Sequence, residues 1–142
     1  MIDESSNETL EYLITELNDL LNEISSELFE DIIIELEMFK KMKMKKDLKP
    51  QFNLLIHLKG NTYDNISFLS GGEKDRISIC LTLALSIISN NPVILLDECM
   101  SSLDEEMRLK VLKLIKKYIP DKIIINVCHD SVQGYYDNII KL

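Results

Sequence analysis

The sequence predicts an α/β fold: parallel strands with flanking helices, preceded by a long N-terminal helix. Three observations carry this. Val93–Leu96 and Ile123–Val127 are near-continuous apolar runs of strand length, the pattern of parallel strands buried on both faces. The segment between them has the apolar spacing of an amphipathic helix, so the order is strand, helix, strand. Residues 8–47 contain neither Pro nor Gly.

That N-terminal segment reads as one helix or two joined helices. Leu10, Leu13, Leu17, Leu20 and Ile24 alternate by three and four, the seam of a coiled coil. Leu28, Ile32 and Leu36 continue by fours, a stutter that unwinds the seam. An amphipathic helix packed on its own domain fits the same spacing. Residues 1–39 carry twelve acidic side chains and no Lys or Arg, and then come Lys40, Lys41, Lys43, Lys45, Lys46 and Lys49. This asymmetry marks residues 1–49 as a separate helical, coiled-coil segment, with the α/β lobe over 50–142. The lysines suit contact with DNA phosphates, and equally the negative end of a helix dipole.

Pro50 ends the helix. Phe52, Leu54, Ile56 and Leu58 alternate with their neighbours as a half-buried strand, and Gly60-Asn61 starts a turn. Ser70 opens the next helix, and Ser70 with Glu73 forms a capping box. Ile77, Cys80, Leu81, Ala84, Leu85 and Ile88 give that helix an apolar face, and Asn90-Asn91-Pro92 stops it. Ser102 with Glu105 starts a third helix running to about Tyr118, and Pro120-Asp121 turns into the second buried strand. A short helix around Ser131–Tyr136 and a last strand over Asn138–Leu142 complete the pattern.

The bulk numbers narrow the function. At 142 residues the chain is one domain, or one domain with an appendage. A net charge of −8 argues against broad non-specific nucleic-acid binding. Cys80, Cys99 and Cys128 lack metal-ligand spacing and lie in apolar stretches, as buried thiols of a reducing, intracellular compartment do. No apolar run reaches the length of a membrane span, and the acidic N-terminus is unlike a secretory signal.

Two motifs carry chemistry. Adjacent glycines in Leu69-Ser70-Gly71-Gly72-Glu73 let backbone N–H groups approach a phosphate at the start of a helix. Val93–Glu98 places two carboxylates at the tip of a buried strand, where a metal and a water can be held. This is half of a nucleotide-hydrolysing site. No Gly-x-x-x-x-Gly-Lys-Ser/Thr phosphate loop occurs in the sequence.

In this order the motifs resemble the C-terminal lobe of an ATP-binding-cassette (ABC) ATPase head, a P-loop NTPase. Leu69–Glu73 resembles the signature motif, Val93–Glu98 the Walker B strand, Ser101–Asp104 the D-loop, and His129 the switch histidine. Glu73-Lys74, and a candidate coiled coil before the lobe, make the resemblance closest to the coiled-coil DNA-maintenance ATPases of the SMC and SbcC type. Cys99-Met100 depart from the Pro-Thr of transporters.

The resemblance implies ATP and Mg²⁺ as ligands, with Asp97 as metal partner. Glu98 orients the attacking water, and His129 contacts the γ-phosphate. Ser70, Gly71, Gly72 and Glu73 cover the nucleotide of a second head across a head-to-tail dimer, whose interface Ser102 and Asp104 cross. Hydrolysis then needs a P-loop lobe from another chain or from a missing part of this one. A non-catalytic module docking on a partner head remains a second reading. A transporter-cassette fragment is a third, against which the acidic segment 8–39 speaks.

Overall fold

The computed structural model describes residues 4–41, 49–89, 91–129 and 135–140. The chain divides into two compact units, 1–68 and 69–142.

The first unit holds α1 (Glu4–Ser26), β1 (Ile32–Lys41), β2 (Lys49–Leu58) and β3 (Asn61–Tyr63). The three strands form an antiparallel sheet in the order β1-β2-β3. The long helix expected over 8–47 therefore ends at Ser26, and residues 32–41 are a strand. The reason is in the side chains. Ile32-Ile33-Ile34 is a β-branched run, which loses rotamer freedom in a helix and suits a pleated surface. Ile32, Ile34, Leu36 and Met38 alternate by two as well as contributing to spacings of four. The buried stripe of α1 is Leu17, Leu21 and Ile24, continued by Leu28, whereas Leu13 is exposed.

Lys40, Lys41 and Lys49 lie on the two strands of a hairpin and not at a helix end. Lys43, Lys45 and Lys46 lie outside the described residues. The predicted turn at Gly60 joins β2 to β3, with Leu58 paired to Asn61. Lys59 and Gly60 both have positive φ, at 51° and 78°. Two-residue hairpin loops take this left-handed form because it matches strand twist.

The second unit holds α2 (Gly71–Ile88), β4 (Val93–Asp97), α3 (Glu105–Tyr118) and β5 (Ile123–Val127). The capping box at Ser70 and Glu73 is present as expected. At the other end of α2, the Lys122 ammonium donates to the carbonyls of Ser86 and Ser89, a cation where the helix dipole is negative. α3 is capped by Asp104 and not by Ser102. The Asp104 carboxylate accepts the Met107 N–H at 2.8 Å. Glu105 and Glu106 in the first turn and Lys116 and Lys117 in the last complement the dipole.

β4 and β5 pair in parallel, with Asp97 opposite Val127. Ile94 and Leu96 are buried, but Val93, Leu95, Ile123, Ile125 and Val127 are between 47% and 64% exposed. The expected burial on both faces is thus met on one only. Apolar runs of this kind need a second covering layer, which the described residues do not supply. The predicted last strand is absent over 138–140, and the helix predicted around 131–136 falls mostly outside the described residues. No helix among the described residues is long and apolar enough to cross a membrane.

The thiols are free. Burial pushes the Cys80 thiol from its ordinary 9.0 up to about 12. The unfolded chain therefore ionises Cys80 first. Its contribution is fully present below pH 9 and falls by about 1.4 kcal/mol per pH unit above that, toward the folded value. Urea midpoints measured between pH 8 and pH 11 are expected to drop more steeply in the wild type than in Cys80→Ala. Equal slopes would show that this thiol ionises without unfolding.

Candidate active site

The site forms where β4 and β5 end. Parallel pairing brings the two C-terminal tips side by side, so residues just beyond Asp97 and Val127 become neighbours. The Glu98 N–H donates to the Val127 carbonyl at 2.9 Å, extending the ladder by one bond. The chain then turns sharply, with Glu98 at φ 46°. A non-glycine residue in this left-handed region is strained, and such strain gathers at functional sites.

The turn aims the Glu98 carboxylate at His129, with 2.9 Å between Oε1 and Nε2. Both side chains are open, Glu98 at 51% and His129 at 86% exposure, so the pair adds little stability. Asp97 is also exposed. By strand parity it shares the open face of Val93 and Leu95. Asp97, Glu98 and His129, singled out from sequence, are thus gathered at one sheet end.

A cavity of about 140 Å³ opens beside this pair. Ser101, Arg108, Cys128 and Tyr136 line it together with Glu98 and His129. The Arg108 Nε donates to the Leu103 carbonyl at 2.8 Å. The Tyr136 hydroxyl accepts from the Asn126 side-chain amide at 2.7 Å. Burial pushes the phenol of Tyr136 up, opposed by that hydrogen bond. Burial likewise raises the Cys99 thiol, which disfavours the reactive thiolate.

Sequence reasoning missed Arg108 and Tyr136. A signal existed for Arg108, which lies four residues, about one helical turn, after Asp104 and so faces back over the loop that Asp104 ends. None existed for Tyr136.

Ser70–Glu73, the segment that resembles a signature motif, is the cap and start of α2. Ser70 Oγ bonds Glu73 Oε2 at 2.7 Å, and the Ser70 N–H donates to the same oxygen at 2.9 Å. Ser70 and Glu73 therefore hold each other, and because the Ser70 hydroxyl also accepts the Glu73 N–H, the N–H groups of Gly71 and Gly72 are the ones left at the helix start. Gly71 and Gly72 abut Ser102. A Cβ at position 71 would sit 2.9 Å from Ser102 Oγ, and one at 72 would sit 3.3 Å from the Ser102 carbonyl oxygen.

Among the described residues no group of three or more His, Cys, Asp or Glu side chains is placed to hold a metal ion. Asp97 with neighbouring Glu98 still fits Mg²⁺, which takes one or two carboxylates and fills its remaining positions with phosphate oxygens and water.

No protein-family model matches the sequence. The chain is 34% identical over 99% of its length to uncharacterized protein 050L of Invertebrate iridescent virus 6, and spans 14% of that relative. Among solved structures it superposes on an Smc head bound to the C-winged helix domain of ScpA. The TM-score is 0.76 at 18% identity, over 94% of this chain and 41% of that one. It also superposes on an SMC ATPase from work on ATP-driven dimerization and DNA-stimulated activation. Here the TM-score is 0.69 at 18% identity, over 94% of this chain and 80% of that one. The fold is that of an SMC-type ATPase head. Within this fold the chain corresponds to the C-terminal lobe. The SMC-like lobe explains the site's position: in open parallel α/β sheets, ligands sit beyond the carboxyl ends of the strands.

Proposed function

We propose that the chain supplies the signature and hydrolytic half of a composite ATPase head and turns over ATP only with a P-loop lobe. One observation carries this reading: Glu98 and His129 meet at 2.9 Å at the tip of the parallel sheet, beside the exposed Asp97. The open apolar face of Val93, Leu95, Ile123, Ile125 and Val127 supports it, because this is the face a second lobe would cover. That lobe comes from another chain or from the rest of a longer protein.

In this reading Asp97 holds the nucleotide's Mg²⁺, which neutralises charge developing on the phosphates when bound. Glu98 orients the attacking water through its carboxylate. His129 shares a hydrogen bond with Glu98 and reaches toward the γ-phosphate. Two heads meet head to tail, and Ser70–Glu73 of each covers the nucleotide of the other with the N–H groups of α2.

Service in chromosome maintenance or DNA repair belongs to the same proposal. Lys40, Lys41 and Lys49, on the paired strands β1 and β2, are the cations this reading assigns to DNA phosphates. If they bind, affinity falls steeply with salt, and charge-neutral substitutions flatten that slope.

The lone chain is expected to bind ATP only weakly, with a dissociation constant above about 1 mM, because no phosphate-loop cradle offsets triphosphate charge on a protein of net charge −8. Isothermal titration checks this, and micromolar binding contradicts it. The decisive experiment mixes the chain with P-loop lobes and follows phosphate release. ATP-dependent assembly without turnover would favour a regulatory module over a catalytic one.

A further inference from the structure

The loop from Glu98 to Asp104 is tied to the start of α2 by one side chain. The Ser102 N–H donates to Asp75 Oδ2 at 2.8 Å, across 27 residues of sequence. The rest of the loop is held locally. Ser101 N–H donates to the Glu98 carbonyl at 3.1 Å and Leu103 N–H to the Met100 carbonyl at 3.2 Å. Met100 and Leu103 are buried anchors. Arg108 holds the Leu103 carbonyl from the other side. A bond from a backbone N–H to a carboxylate is charge-assisted and stronger than a neutral one. It is seated where Gly71 and Gly72 leave room for Ser102.

The two ends of this connection matter. One is Asp75 of α2, two residues beyond the Ser70–Glu73 segment that caps and opens the helix. The other is Glu98, whose carbonyl receives Ser101 and whose carboxylate faces His129.

We propose that Asp75 is a positioning residue: its carboxylate pins the 98–104 loop to the head of α2, so the signature segment and the hydrolytic glutamate move as one body. The proposal rests on the composite-head reading for its consequence. In a head-to-tail dimer, Ser70–Glu73 touches the partner's nucleotide while Glu98 serves the chain's own. A rigid link between them makes closure on one nucleotide set the geometry at the other. The double glycine then has two tasks, close approach to a phosphate and clearance for Ser102.

The test uses the chain alone, without nucleotide, and so does not depend on the hydrolysis reading. Amide exchange of residues 98–104 is followed by NMR in wild type, Asp75→Ala and Asp75→Asn. Asp75→Ala is expected to accelerate exchange at Ser102 at least ~10-fold and to carry the effect to Ser101. It is also expected to move the His129 ring resonances. Asp75→Asn keeps an acceptor and is expected to stay within ~3-fold of wild type.

Gly71→Ala pushes on Ser102 and is expected to reproduce the Asp75→Ala pattern, with Ser102→Gly in the double variant restoring the wild-type pattern. Acceleration confined to Ser102, with Ser101 and His129 unmoved, overturns the proposal. So does equal behaviour of the Ala and Asn variants at position 75. In a reconstituted head, active enzyme with an unlinked loop discards the link and leaves the function standing. A linked loop in an inactive head does the reverse.

Discussion

Glu98→Gln is expected to lower turnover of the assembled head by roughly 10²–10⁴-fold while leaving ATP-dependent association intact. Gln has almost the shape of Glu and can still hydrogen bond His129, so the 2.9 Å contact and the strand-end turn persist. What it lacks is the negative charge that, in the proposed head, orients and polarises water. Phosphoryl transfer depends chiefly on positioning and electrostatics, so removing that charge acts on the chemical step. Steady-state phosphate release and light scattering on the same sample read the two effects separately. Unchanged turnover, or loss of association together with turnover, would remove Glu98 from its assigned role. Its backbone offers a companion measurement. Glu98 sits at φ 46°, a region Asn tolerates better than Glu. Glu98→Asn is therefore expected to keep or raise thermal stability while losing turnover, as strain maintained for function implies.

The meeting of Glu98 and His129 was legible because motif order and strand polarity suffice to bring them together. An apolar run ending in Asp97-Glu98 and another ending near His129 converge only if the strands are parallel neighbours, which the helix between them dictates. The cap at Ser70 was legible because it is local. The helix over Glu4–Ser26 is legible, but residues 32–41 read as helix too, because Leu28, Ile32 and Leu36 satisfy a helical spacing while Ile32, Ile34 and Leu36 satisfy a strand. The β-branched run was the deciding signal. The exposed sheet face was misread for a different reason. Val93, Leu95 and Ile125 are apolar yet exposed, and a sequence window cannot tell a strand face that is covered from one that is open. Asp75 was invisible because its partner is a backbone N–H 27 residues away.

Replacing both Asn18 and Asn22 by Leu is expected to destabilise the first unit by about 4 kcal/mol. β1 pairs with β2 on one side only, so alternate N–H and C=O groups on its other edge need partners. α1 supplies them. Asn22 Oδ1 accepts the Ile34 N–H and its Nδ2 donates to the Ile34 carbonyl, each at 3.0 Å. One helical turn earlier, Asn18 does the same for Leu36, at 2.8 Å and 3.1 Å. Two asparagines four residues apart thus act as a substitute strand. Each Leu removes two bonds to β1 and leaves a part-buried donor and acceptor there, at about 1 kcal/mol per group, and the better helix propensity of Leu returns only a few tenths. A loss of this size is a large fraction of the 5–15 kcal/mol that holds a typical domain folded. Faster amide exchange at Ile34 and Leu36, with a lower urea midpoint for the far-ultraviolet signal, is the expected readout. Asn22→Asp separates the two halves of the clamp: it keeps the acceptor for the Ile34 N–H but sets a carboxylate against the Ile34 carbonyl. It should fall between wild type and Asn22→Leu, and an Asp variant as stable as wild type would show that the donor half contributes nothing. A bared β1 edge is also a template for pairing with a second chain, so the Leu variants are expected to self-associate as concentration rises, which sedimentation measures directly.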